Sequence, residues 1–222
     1  MVIGERLGFL FIHVPKCAGE SIRELLLAPA NGGRDFLGKH STYEAALLRL
    51  GGSLASLESF AVVRNPFEQV LSFYEHLRKP LFVPHEALER QYPGSAGLLH
   101  PEWACELAMR EDFPAFVRQA YGMSLPASAP PGAGRNLLRD SCAWMTGPDA
   151  CISVRRVLRF ERLAEGFDRL SGDLGLSGTL PHLNAAHNAA DTRSYRARYD
   201  EPAREVVERH FARTLREFGY RF

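Results

Sequence analysis

The residues of this chain best suited to chemistry lie in FLFIHVPKCAGESI, residues 9–22. An apolar run passes through His13-Val14-Pro15, and Lys16-Cys17-Ala18-Gly19-Glu20-Ser21 then opens an amphipathic helix. The first N–H groups of a helix have no intrahelical acceptor and carry the positive end of its dipole. A lysine at such a turn therefore makes a site for a phosphate-like anion. A second junction has the same form: in FAVVRNPFEQVLSFY, residues 60–74, Arg64 closes a strand and Ser72 stands two helical turns on. It offers a charged fork and a hydroxyl to another anion. One ligand with phosphates at both ends would engage both junctions.

These groups need a frame. Residues 8–14 read as a buried strand, and 20–27 as a short helix with Ile22, Leu25 and Leu26 on one face. The linker APANGGRDFLGKH follows, then a helix over 42–50 ended by Gly51-Gly52. The second strand, 60–64, runs straight into a helix with Pro66 at its start. Residues 80–100 read as a surface excursion, PEWACELAMR and DFPAFVRQAY as short helices, and 123–135 as the segment richest in breakers. A third strand covers 155–161, leading into a helix through about Leu170. The end, 200–218, reads as one helix with Asp200 at the N-cap, Pro202 in the first turn and Val207, Phe211, Leu215 and Phe218 near one face.

Strand, turn and helix in repetition predict an α/β fold: a P-loop-like three-layer arrangement, a central parallel sheet with helices on both faces. Ligands of such sheets sit outside the carboxyl ends of the strands, which puts both junctions on one side. There is no internal repeat and no linear boundary. The expectation is a single domain over 1–222, with 80–135 as an irregular, helical insertion covering the acceptor side.

Composition sets limits. With 222 residues and a net charge of +1, the chain has room for a core but no basic field for general nucleic-acid binding. No apolar run reaches the ~18–20 residues of a membrane span, and no charged segment precedes the first apolar run, so a cytoplasmic protein is expected. The four cysteines, Cys17, Cys105, Cys142 and Cys151, lack metal-ligand spacing. Cys142 and Cys151 are expected as reduced thiols rather than a short-loop disulfide.

Taken together, the motifs resemble the sulfotransferase superfamily, in particular the heparan-sulfate 2-O-sulfotransferase-like enzymes and small bacterial relatives. FIHVPKCAGESI is similar to that family's 5′-phosphosulfate loop and FAVVRNPFEQVLSFY to its 3′-phosphate motif; RVLRFERL, LPHLN and FGYRF fall in the family's order. The resemblance implies the donor co-substrate 3′-phosphoadenosine-5′-phosphosulfate, no metal, and transfer of its sulfuryl group to an acceptor hydroxyl or amine. It implies that Lys16 sits against the bridging oxygen, that Cys17, Ala18, Gly19, Glu20 and Ser21 wrap the 5′-phosphate, and that Arg64 with Ser72 holds the 3′-phosphate. A cation at the leaving oxygen, where charge develops, stabilises the transition state more than the ground state.

Glu20 departs from the pattern, since many relatives have Thr or Ser there. A carboxylate beside a dianion is unfavourable unless it turns away, and the expectation is that only its N–H faces the ligand while its charge complements the helix dipole.

Of eight histidines, His13 reads as a hydrogen-bonded structural residue within a strand; His76 and His210 lie in helices, and His85 and His100 in the irregular middle. His40 ends the Gly-rich linker between the two nucleotide motifs, where the resemblance places a catalytic histidine. An imidazole titrating near neutrality suits removal of a hydroxyl proton. The plain alternative is a helix N-terminus capped by Ser41 or Thr42. In LPHLNAAHNAADTRSYR, residues 180–196, His182 and Asn184 are either lid residues over the nucleotide or loop-ordering groups; Asn184 is counted with the nucleotide-binding set, and His182 and His187 stand next in line as base. Trp103, Trp144, Phe82 and Phe113 read as core or loop anchors rather than sugar platforms. Arg155, Arg156 and Arg159 read as a solvated strand face rather than an acidic-acceptor site.

Two other functions compete. A P-loop kinase needs G-x-x-x-x-G-K-[ST] and a magnesium site, whereas Lys16 here precedes the glycine. A catalytically silent nucleotide-binding scaffold of the same fold would be favoured were Lys16 or His40 missing, and both are present. The acceptor is open: a polysaccharide, a glycolipid, an aminoglycoside-like metabolite or another small hydroxyl compound.

Overall fold

The structure, a computed structural model, describes residues 1–78, 102–122, 138–181 and 194–222. The chain forms two compact units, one from Met1–Asn65 with Asp140–Thr192 and the other from Pro66–Arg139 with Arg193–Phe222. Each is built from separated stretches, which is why no linear boundary shows in the sequence.

The first unit holds a five-stranded sheet of β1 (Val2–Gly4), β2 (Phe9–Ile12), β3 (Arg34–Asp35), β4 (Glu58–Val63) and β5 (Arg156–Arg159), in the order β3-β1-β2-β4-β5. β2, β4 and β5 run parallel, with Ile12 opposite Ala61 and Val63 opposite Arg159. β1 is antiparallel to both β2 and β3, so the sheet is mixed, not parallel throughout. The physical reason is the short turn at residues 5–8, which can only reverse the chain. All four residues of β2 and the last five of β4 are buried, as strands covered on both faces require.

Helices α1 (Gly19–Leu27), α2 (Tyr43–Leu50), α6 (Cys142–Met145) and α7 (Leu163–Leu174) complete this unit. α1 packs Ile22, Leu25 and Leu26 inward, the face read from the sequence. The Thr42 side chain accepts from Ala45 N at 3.2 Å and so caps α2.

The second unit contains α3 (Pro66–Leu77), α4 (Glu102–Arg110), α5 (Phe113–Tyr121), α8 (Glu201–His210) and α9 (Ala212–Phe218). They pack around Phe67, Tyr74, Phe113, Phe116 and Phe211. Asp200 caps α8 through Ala203 N at 2.9 Å. The expected single C-terminal helix is two, because Phe211 leaves the helical region (φ −108°, ψ 23°) while its ring is fully buried in this core. Apart from α4 and α5, most of the stretch 80–135 lies outside the described residues.

Candidate active site

The turn after β2 is built on unusual backbone. Val14 N donates to Ile12 O at 3.1 Å, and both Lys16 (φ 62°) and Ala18 (φ 58°) are left-handed. Non-glycine residues rarely hold that conformation, and such strain persists only where the surroundings enforce it. Left-handed residues on either side of Cys17 are backbone of the kind from which anion-binding nests are built. α1 then starts at Gly19 with Ala18 as N-cap, which has no side-chain oxygen to occupy the first-turn donors.

Cys17 fixes the underside of this loop. It is buried, its thiol donates to Pro15 O at 3.4 Å, and burial pushes its pKa up to about 12 against the opposing pull of Arg64. The group is a thiol, so the loop offers its backbone, not a reactive sulfur. Gly19 is needed for space: a Cβ there would lie 1.8 Å from His13 Nε2.

The linker bearing His40 is tied to the sheet. Phe36 N donates to Met1 O at 3.2 Å, and the Met1 nitrogen donates to Lys39 O at 2.6 Å. His40 Nδ1 lies 2.9 Å from His13 O. A carbonyl only accepts, so Nδ1 carries the proton, and in the neutral ring Nε2 holds the lone pair. The His40 ring meets His13 edge-on at 4.6 Å between centroids and Trp144 at 6.0 Å. Trp144 arrives there because α6 packs on α2, which begins just beyond His40.

Burial lowers the His40 pKa to about 4; the hydrogen bond to His13 and the carboxylate of Glu20 oppose the shift, and the charge of Lys39 adds to it. The residue as a whole keeps an exposed edge, where water also opposes the shift, but the direction makes it neutral at pH 7. His13 is buried, and its pKa is driven well down by that burial and by His40. Its ring stacks on Phe11 at 5.6 Å, and its Nδ1 has no hydrogen-bond partner among the described residues.

At the second junction, the Arg64 guanidinium lies over the Phe160 ring at 4.2 Å, and Asn65 N donates to Glu161 at 2.7 Å. Among the described residues, no group of three or more His, Cys, Asp or Glu could hold a metal ion, and no helix is long and apolar enough to cross a membrane.

The sequence profile of the Sulfotransferase family matches residues 1–221. The chain belongs to that family. No curated protein and no solved structure matches it. Membership of the sulfotransferase family assigns sulfuryl transfer as its general activity.

Within this sulfotransferase, Lys16, Cys17, Ala18, Gly19, Glu20, Ser21, His40 and Arg64 all belong to the first unit. Glu20 turns its carboxylate to Lys39 in an ion pair, which leaves its N–H at the helix start. Ser72 is half-buried on α3, in the second unit. Asn184, His182 and His187 lie outside the described residues.

Several readings of single residues change. His13 lies just past β2; its ring Nδ1 finds no hydrogen-bond partner among the described residues, and its carbonyl meets His40. Burial lowers the His40 pKa to about 4, away from the neutral range expected of it, although the residue keeps an exposed edge. Trp144 stands beside His40, a placement no local signal in the sequence carries. Arg155 donates to Ala55 O at 2.5 Å and Arg156 pairs with Glu58 and Asp173, which fits an ordinary strand face. The four cysteines are free thiols.

Proposed function

We propose that this chain transfers a sulfuryl group from 3′-phosphoadenosine-5′-phosphosulfate to a hydroxyl or amine of a carbohydrate-like or small-molecule acceptor, on a P-loop-like three-layer fold. The observation that carries this reading is the position of His13 between two functional parts. Its ring abuts Gly19 of the anion loop, and its carbonyl holds His40 with Nε2 as the accepting nitrogen.

In this mechanism the N–H groups of Cys17 to Ser21 and the Lys16 ammonium hold the 5′-phosphosulfate. Arg64, Ser72 and Asn184 hold the 3′-phosphate side. The acceptor oxygen attacks sulfur in line while its proton passes to His40 Nε2. The bond from sulfur to the bridging oxygen breaks, its electron pair stays on the phosphate, and Lys16 stabilises that developing charge. Sulfated acceptor and adenosine 3′,5′-bisphosphate result. An unliganded pKa near 4 keeps the base free of protons, and the anionic donor raises it toward the range of an effective base.

The test is a donor-dependent screen across hydroxyl and amine acceptors, reading a product heavier by one sulfuryl group. Lys16→Ala lowers turnover and weakens donor binding, because its charge touches the phosphosulfate in ground and transition states. His40→Ala leaves donor binding within about twofold and cuts turnover ~10²–10⁴-fold. Donor binding with no transfer to any acceptor class points to a silent scaffold; phosphoryl transfer from ATP that EDTA stops points to a kinase.

A further inference from the structure

Among the described residues two rings meet His40: His13, at the strand end of the anion-loop motif, and Trp144, which no motif marks. His13 meets it at 4.6 Å and 64°, Trp144 at 6.0 Å and 64°. Both are polar aromatics with a buried nitrogen, His13 Nδ1 and Trp144 Nε1, that finds no partner among the described residues. In the first unit these are the two such atoms the described residues contain, and both rings border the same imidazole.

We propose that His13 and Trp144 are positioning residues for His40: His13 fixes its tautomer through the backbone carbonyl, and the two rings hold the imidazole in one orientation with Nε2 presented to the acceptor. This rests on the reading of His40 as the base. The position of His13 extends the arrangement to the donor, because the same ring fills the space a Cβ on Gly19 would need. Anion loop and base thus share one wedge, and the base is aligned only when the loop is in place. Trp144 closes the other side from α6, roughly a hundred residues further along the chain.

Among the described residues, the titratable groups that act on His40 are His13 after β2, Glu20 on α1, Lys39 on its own segment and the Met1 nitrogen at the start of β1, while Arg23 on α1 acts on His13. From α6, Trp144 presents an uncharged ring. Glu20 favours protonation of His40, while Lys39 and the Met1 nitrogen disfavour it. Loss of the Trp144 ring changes none of these charges, so its effect on titration reports the enclosure alone.

The experiment uses the full chain labelled with ¹⁵N-histidine, with imidazole shifts followed against pH and kinetics measured in parallel. In the wild type, His40 is expected as the Nδ1-protonated tautomer with a midpoint below 5. Trp144→Leu should raise that midpoint by at least one pH unit, mix the tautomers, lower kcat about tenfold and leave donor KM within twofold. Trp144→Phe, which keeps a ring, should stay within a few-fold of wild type. A wild-type midpoint near 6.5 or an even mixture of tautomers overturns the proposal without any variant. So does a folded Trp144→Leu protein with an unchanged midpoint. The His40→Ala protein separates the two readings: full activity in it, together with a shifted midpoint in Trp144→Leu, keeps the clamp and removes His40 as base.

Discussion

Lys39, the residue immediately before His40, reaches across to Glu20 in the first turn of α1 and forms an ion pair with it. This contact accounts for a carboxylate at Glu20, where the family resemblance implies a hydroxyl residue. The carboxylate is neutralised from the side, and the helix start keeps its positive character toward a ligand. Both partners are partly exposed, so the pair itself contributes about 0–1 kcal/mol to stability. Its larger consequence is electrostatic. Lys39→Ala should weaken adenosine 3′,5′-bisphosphate about 3- to 10-fold, by leaving an uncompensated negative charge beside the anion loop. In a Glu20→Thr background the same change should cost less than twofold. Equal losses in the two backgrounds, measured by calorimetry, would refute the coupling.

Gly19→Ala tests the wedge from the other side. A Cβ 1.8 Å from His13 Nε2 forces one of them to move, an overpacking cost of about 1–3 kcal/mol. Adding His13→Ala should recover part of that loss relative to His13→Ala alone. Denaturant midpoints of the four proteins give the coupling energy directly; additivity of the two changes would count against the contact.

Acid should destabilise the fold earlier than carboxylate titration alone predicts. The pKa values of His13 and His40 in the folded chain lie below the ordinary 6.5. The unfolded chain therefore takes up protons first as pH falls, so the contribution is complete above about 6.5 and is lost on the way down toward 4. The buried His13 dominates, with a slope of roughly 1.4 kcal/mol per pH unit at full effect. Melting temperature should fall between pH 6.5 and 5, and His13→Phe should flatten that part of the curve. An unchanged slope in the variant would assign the acid sensitivity elsewhere.

Arg64 should carry the discrimination between adenosine 3′,5′-bisphosphate and 5′-AMP. A hydrogen bond to a charged group is worth about 1.5–3 kcal/mol, so Arg64→Ala should erase a preference of roughly 10- to 100-fold. Phe160→Ala, which removes the ring under the guanidinium, should cost only about 2- to 5-fold, the scale of an exposed cation–π contact. Equal affinities for the two nucleotides in the wild type would remove this role from Arg64.

Thiol labelling should follow burial. Cys151 is exposed, whereas Cys17 is buried with its pKa pushed up to about 12. In the native protein, iodoacetamide should modify Cys151 first and Cys17 only after unfolding, as peptide mass mapping can show. Early labelling of Cys17 would mean that the anion loop opens on the timescale of the reaction.

The strand, turn and helix start around Lys16 were legible because their signal is local: an apolar run, a proline, a lysine and a helix start follow one another without a gap. α2 and α8 were legible for the same reason, through Thr42 and Asp200 at their caps. β1 and β3 were not, since three and two residues are too few to show a period, and they make the sheet mixed. The break at Phe211 has no glycine or proline to announce it; a buried ring in the core of the second unit decides it. The same holds for the site. His40 was singled out through the family resemblance, but its contact with Trp144 depends on α6 docking against α2, a tertiary event with no short-range trace.

The spacing of the parallel strands also has a consequence during synthesis. β4 ends at Val63 and its neighbour β5 begins at Arg156, so about 90 residues separate two strands that pair directly. At ~5–20 residues per second a ribosome needs roughly 5–20 s to deliver β5 after β4. For that time the edge of β4 that pairs with β5 waits for its partner strand, and an open strand edge is a template for pairing with any other. A nascent chain of this protein is thus most in need of a chaperone in the interval between its second and third parallel strands.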